Sequence, residues 1–195
     1  NTPFLPRYPA EPISLFRQIY GPDMYIVWFQ TPEEPDRVLA ADVAKTMAFF
    51  MRKPAALREA GEKKEGGSSF AFAQALAAYD PATDANQFLS ADEMAVFMAL
   101  FEHSGFTGGI NWYRNFTRNW ENGADLPTRI DGIPCLMIMA EKDAVLPPSM
   151  ADKMGDHISD LEKVLVTDSG HWTQQEQPDA VNGHILDWMR RRFPA

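Results

Sequence analysis

Apolar and polar positions alternate along this chain in two different rhythms. From about Ile133 onward, short continuous apolar runs are followed by polar loops and amphipathic stretches. The run Ile133-Pro-Cys-Leu-Met-Ile-Met139, extended to Ala140, predicts a buried strand, and Glu162-Lys-Val-Leu-Val-Thr167 predicts a second that ends in a turn at Asp168-Ser-Gly170. A helix is expected after Pro147-Pro148, and the last helix starts near Pro178, a residue suited to a first helical turn. That helix is expected to carry Val181, Ile185, Trp188 and Met189 on one face. Strand and helix alternating in this way read as βα units on a parallel sheet.

The earlier stretch, roughly Glu11–Glu121, has the rhythm of helices. Val38, Leu39, Val43, Met47 and Phe50 recur at helical spacing, and Ser90-Ala-Asp-Glu93 is a capping-box pattern that opens the apolar stripe Met94, Phe97, Met98 and Phe101. Between these helices, Gly61–Ser69 is rich in Gly, Lys, Glu and Ser and is expected to be a mobile surface loop. Two strands are fewer than the usual four to six or so in a sheet, and parallel strands need cover on both faces. The C-terminal part is therefore expected to be the edge of a larger sheet, completed by preceding sequence or by a second chain.

Composition narrows the function classes. The 195 residues are 45% hydrophobic, and 13 Phe, 10 Met and 5 Trp supply soft aromatic bulk suited to an apolar pocket or to ordinary core packing. A formal charge of −9 disfavours nucleic acid and anionic lipid as partners. The basic cluster Arg190, Arg191 and Arg192 is expected to complement the end of a helix dipole. A single cysteine, Cys135, excludes an internal disulfide and is expected to be a buried, inert thiol. No window approaches the roughly 18 apolar residues of a membrane span, and no charged-then-apolar leader opens the chain. A soluble, cytoplasmic protein is the expectation.

The chemistry concentrates in the loops that close the two expected strands. Asp143 follows the first, in Ala140-Glu-Lys-Asp-Ala-Val-Leu146, and His171 follows the second, in Asp168-Ser-Gly-His-Trp-Thr-Gln174. Sites in open α/β sheets gather beyond the carboxyl ends of strands. An acid and a histidine on neighbouring loops there can form the carboxylate–imidazole bond that fixes a tautomer and stabilises an imidazolium. Their order along the chain, acid before histidine, is that of the α/β-hydrolases. His103, His157 and His184 have neither HExxH nor Cys/His zinc spacing and are expected at the surface or in packing. No metal or other cofactor is expected.

Five segments, in one order, resemble the soluble epoxide hydrolases of the α/β-hydrolase superfamily. Ala-Glu-Lys-Asp-x-Val-Leu and Gly-His-Trp-Thr-Gln look like that family's acid and histidine loops. Asn1-Thr-Pro-Phe-Leu-Pro6 is similar to the strand end from which its chain leaves the core for a cap. Ser104-Gly-Phe-x-Gly108 with Asn111-Trp-Tyr-Arg-Asn115, and Met24-Tyr-Ile-Val-Trp-Phe-Gln30, resemble the two cap segments that bear paired tyrosines. The similarity is weak only across Pro54–Gln87.

This resemblance implies an α/β fold: the C-terminal part of a hydrolase core, with parallel strands and helices, plus a helical cap domain. Residues 1–10 would be the end of a core strand and the entry to the cap, 11–130 the cap, and 131–195 the C-terminal βα units. It further implies that Asp143 orients His171, that His171 activates water, and that Tyr25 and Tyr113 activate the oxygen of a small apolar epoxide. Thr2, Phe29, Val145, Leu146 and Trp172 sit beside these motifs as candidate substrate-binding residues, which ordinary packing would explain nearly as well. The family's nucleophile is an aspartate on a tight strand-to-helix elbow, and no such elbow occurs here. Gly105-Phe-Thr-Gly-Gly109 precedes a helix without a strand, so Thr107 is a poor substitute. The attacking carboxylate is expected from sequence before Asn1, in the same protein or a second chain, and the chain alone is expected to be inert. Other capped α/β-hydrolases, such as haloalkane dehalogenases and esterases, share the acid and histidine loops. A non-catalytic relative that binds an apolar ligand is the remaining alternative.

Overall fold

The structure, a computed structural model, describes residues 1–53 and 70–194; the loop expected at Gly61–Ser69 lies outside the described residues. The described residues divide into two compact units. One holds Asn1–Pro6, Lys53 and residues 126–194, and the other holds residues 7–52 and 70–125.

The first unit is built on two strands, β1 (Cys135–Ala140) and β2 (Leu161–Val166). They pair in parallel, with Cys135 opposite Leu161 and Ala140 opposite Val166. An isolated parallel bridge between Ile130 and Ile158 precedes the ladder. A 3₁₀ segment, Pro148–Asp156, makes the crossover where the proline pair had predicted a helix. Met137 of β1 packs with Ala151, Met154 and Ile158 into a buried cluster, bordered by Phe4, Ile130 and Leu161. Burying a side chain of this size contributes roughly 1.5–3 kcal/mol.

Beyond β2 come two helices, to which we give the labels α9 (Thr173–Glu176) and α10 (Pro178–Arg192), following eight in the other unit. Pro178 is at the start of α10, as its sequence implied. The face that α10 buries differs from the expected one. Val181 is buried and His184 and Trp188 are half-buried, whereas Ile185 and Met189 are exposed. Apolar residues lie on two adjacent faces of this helix, and period alone does not choose between them. The three arginines occupy its last turn, as expected, and do more than complement the dipole: Arg191 pairs with Glu162 and Asp187, and Arg192 with Asp160. Cys135 is half-buried rather than buried, with its Sγ 3.4 Å from the Ile133 carbonyl oxygen.

The second unit is helical: α1 (Pro12–Tyr20), α2 (Tyr25–Trp28), α3 (Glu34–Ala40), α4 (Val43–Phe50), α5 (Phe72–Ala78), α6 (Ala91–Ser104), α7 (Thr107–Arg114) and α8 (Phe116–Asn122). The apolar positions from Val38 to Phe50 divide between α3 and α4. Asp42 starts the second of these, accepting from the Lys45 N–H at 2.9 Å. The capping box forms at α6, where the Ser90 N–H donates to Glu93 Oε2 at 2.8 Å and the Glu93 N–H donates to Ser90 Oγ at 3.3 Å. Its stripe Met94, Phe97, Met98 and Phe101 is half-buried. Ile13, Met24, Ile26 and Val27 form a buried cluster, with Phe16, Tyr25, Phe70, Tyr113 and Phe116 packed around it. No helix among the described residues is long and apolar enough to cross a membrane.

Candidate active site

Asp143 and His171 meet where their strands end. β1 delivers Ala140, only 1% exposed, and the chain turns so that the Asp143 N–H donates to the Ala140 carbonyl at 3.3 Å. The carboxylate turns inward and is 3% exposed. Its Oδ1 accepts the backbone N–H of Val145 and of Leu146, both at 2.9 Å. Its Oδ2 accepts the side-chain amide of Asn1 at 2.5 Å. His171 Nδ1 is 3.1 Å from each carboxylate oxygen. With Nδ1–H committed to the acid, Nε2 is the nitrogen left to take a proton.

The acid is set up to stay ionised. Burial alone would raise its pKa, but the hydrogen bonds from His171, Leu146 and Val145, with the histidine's charge, hold the carboxyl below the ordinary carboxylate value. An ionised Asp143 then stabilises the imidazolium that forms when Nε2 accepts a proton.

The two loops are also joined by their neighbours. The Lys142 N–H donates to the Ser169 carbonyl at 2.8 Å, and Glu141 Oε2 accepts the Asp168 N–H at 2.8 Å. The Lys142 ammonium pairs with the Asp168 carboxylate. Asp168 adopts a positive φ of 58°, the left-handed turn that Asp and Asn tolerate best among side-chain-bearing residues, and this reverses the chain toward His171.

In the helical unit, Tyr25 and Tyr113 stand edge to face, with ring centroids 5.4 Å apart and planes at 83°. Tyr25 opens α2, where its N–H donates to the Phe70 carbonyl at 2.9 Å, and Phe72 stacks on its ring at 4.3 Å. Tyr113 lies on α7, tied to the turn after α2 by two side chains. Gln30 Nε2 donates to the carbonyls of Ile26 at 2.8 Å and Tyr113 at 3.1 Å. Arg114 donates to the carbonyls of Phe29 at 2.9 Å and Thr31 at 3.1 Å, and pairs with Asp36 at 2.7 Å. Thr107, the weak substitute nucleophile, instead donates to Asp36 at 2.5 Å.

Burial raises the pKa of both phenols above its ordinary value, making them weaker acids. For Tyr25 the negative field of a charged Tyr113 adds to the effect. Both are therefore neutral donors over the physiological range. Of the expected lining residues, Phe29 is buried, 5.6 Å from Tyr25 and 5.2 Å from Tyr113 between ring centroids. Trp172 lies edge to face with His171 at 5.2 Å. Val145 and Leu146 are half-buried and contribute their N–H groups to Asp143, while Thr2 is exposed. Among the described residues, no group of three or more His, Cys, Asp or Glu side chains is placed to hold a metal ion.

No model of a known protein family matches the chain. Individual relatives do. It is 35% identical over 97% of its length to epoxide hydrolase A of Mycobacterium tuberculosis, of which it covers 59%. It is 32% identical to the bifunctional epoxide hydrolase 2 of Mus musculus, again over 97% of its length and 34% of the relative's. The crystal structure of epoxide hydrolase A from Mycobacterium thermoresistibile superposes with a TM-score of 0.79 at 29% identity, across 97% of this chain and 60% of that one.

Over nearly its whole length the chain is similar to epoxide hydrolases. It matches the C-terminal part of its relatives and spans about three fifths of the bacterial one. Its fold is α/β, part of a hydrolase core with a helical cap.

Several residues that shape the two pairs carry little signal in the sequence. Asn1, Glu141 and Lys142 were read only as parts of motifs. Gln30 likewise stood only at the end of a cap motif, and Asp36 and Glu176 were not singled out at all. The usable signal was weak: charged or amide residues immediately beside a motif, whose partners are backbone groups brought near only by folding.

Proposed function

We propose that the chain supplies the water-activating and epoxide-activating groups of an epoxide hydrolase that converts a small apolar epoxide to a vicinal diol. The observation that carries this reading is the His171 Nδ1 bond to a buried Asp143 carboxylate at the ends of adjacent parallel strands, which leaves Nε2 as a general base. An attacking carboxylate comes from the part of the hydrolase that this chain does not match in its relatives, on the same protein or on a second chain. That carboxylate attacks an oxirane carbon, the C–O bond breaks, and the oxygen takes a proton from Tyr25 or Tyr113 as the alkyl-enzyme ester forms. His171 then takes a proton from water. The resulting hydroxide attacks the ester carbonyl, the bond from that carbon to the diol oxygen breaks, and the diol leaves with the proton from His171; the carboxylic acid so formed loses its proton, restoring the carboxylate and the tyrosine phenol.

The tyrosine pair suits its half of this reaction. The two rings lie 5.4 Å apart between centroids and burial keeps both phenols protonated, so an oxirane oxygen beside them meets two O–H donors at the atom where negative charge develops. We propose Thr2, Val145, Leu146 and Trp172 in the first unit, and Phe29 in the helical unit, as substrate-binding residues.

The test is a single turnover of an aryl epoxide, such as styrene oxide, by the chain assembled with its N-terminal complement, in water labelled with heavy oxygen. The expected product is diol free of label, with the label in the attacking carboxylate. Diol that carries the label in its first turnover, or no diol at all, overturns the reading.

A further inference from the structure

Glu176 lies at the end of the short helix α9, five residues after His171, and its carboxylate reaches back across the histidine. Oε2 accepts the N–H of Gly170 at 2.8 Å and Oε1 accepts the N–H of Trp172 at 3.2 Å, so the two oxygens hold the backbone on either side of His171. The return bond closes the loop, because the Glu176 N–H donates to the Trp172 carbonyl at 2.8 Å. Ser169 is fixed one residue earlier. It is fully buried, its hydroxyl donates to Thr173 Oγ1 at 2.8 Å, and its carbonyl accepts the Lys142 N–H of the acid loop. Residues 169, 170 and 172 are thus anchored, and the φ and ψ of His171 have little freedom left.

We propose that Glu176 is a positioning residue, setting the direction in which the His171 ring leaves the backbone so that Nδ1 meets Asp143 and Nε2 faces the ester. Two acceptor oxygens are needed for two N–H donors. Glutamine offers one oxygen and one NH₂, so one of the two backbone N–H groups would face a donor instead. A shorter aspartate keeps the two acceptors but reaches less far. A helix that merely needs its first N–H groups satisfied would accept any cap. A positioning role requires both oxygens on both flanks of the histidine.

This role presupposes the functional reading above in its kinetic arm, and a spectroscopic arm is independent of it. In the 195-residue chain, nitrogen NMR of the His171 ring is expected to report the Nδ1–H tautomer, and E176Q is expected to shift the population toward Nε2–H while circular dichroism stays native. An unchanged tautomer in E176Q overturns the proposal, whatever the chain's reaction. In the assembled enzyme, E176Q is expected to lower kcat by about 10- to 100-fold, as for a catalytic group displaced by about an ångström. Because His171 acts only after the ester has formed, kcat/KM for the epoxide is expected to stay nearly constant, ester is expected to accumulate, and E176D is expected to recover part of kcat. Equal loss in kcat and kcat/KM that tracks the folded fraction would make Glu176 a helix cap and nothing more. An assembled enzyme that forms no ester, together with a normal E176Q tautomer shift, would sink the epoxide reading and leave the clamp standing.

Discussion

His171 is held by the backbone around it. Its partner Asp143 is 28 residues away on the adjacent strand end, and the two loops are joined by main-chain bonds, by Glu141 and Lys142, and by the Glu176 carboxylate. Tyr25 and Tyr113 are held differently, by aromatic packing and by Gln30 and Arg114 side chains that grip carbonyls on the opposite element. The first pair is held by main-chain and carboxylate hydrogen bonds, and its acid is kept ionised by them. The second is apolar, and its phenols are kept neutral by burial. The difference matches the chemistry proposed for each. A base that moves a proton needs a fixed tautomer, whereas a donor to a transient alkoxide needs to remain protonated in a dry place.

Mutations that break one pair should therefore leave the other's step intact. The largest effect is expected from His171→Gln in the assembled enzyme, a loss of diol formation by about 10²–10⁴-fold, read by steady-state turnover. Tyr25→Phe or Tyr113→Phe is expected to cost roughly 2.7–4 kcal/mol of transition-state stabilisation, about 10²–10³-fold in rate. If either loss were under tenfold, the tyrosines would be packing residues only.

Smaller changes sharpen the contrast in how the pairs are held. Arg114→Ala removes a charged, part-buried latch and is expected to destabilise the helical unit by about 1.5–3 kcal/mol, measured by urea unfolding. The acid–histidine pair is expected to show itself in acid. Because the folded-state pKa of Asp143 lies below its unfolded value near 3.9, its contribution to stability is present above that value and lost as pH falls through the lower one. Asp143→Asn is accordingly expected to flatten the fall in stability below about pH 4; an unchanged slope would contradict the ionised acid. Ser90→Ala, remote from both pairs, is expected to cost only about 1 kcal/mol through loss of the helix cap.

Much of the fold was legible because its signals are local. The apolar runs mark β1 and β2 to within a residue or two, Ser90 and Glu93 form the box their spacing implies, and Pro178 starts α10. Asp143 and His171 were legible for the same reason, since a polar loop directly after an apolar strand places its residues at a sheet's edge. What stayed hidden depends on contacts between distant residues. The choice of Val181, His184 and Trp188 over Ile185 and Met189 as the face α10 buries is set by the surface it meets. The Asp36–Arg114 latch joins helices far apart in the chain, and Glu176 reaches main-chain N–H groups, which leave no mark in a pattern of side chains.

Quenched-flow kinetics of ester formation and ester breakdown test the division of labour between the two pairs most directly. The expected result is that Tyr25→Phe and Tyr113→Phe slow formation and leave breakdown unchanged, while His171→Gln and Asp143→Asn do the reverse. If all four variants slowed the same step, the pairs would not serve separate halves of one reaction.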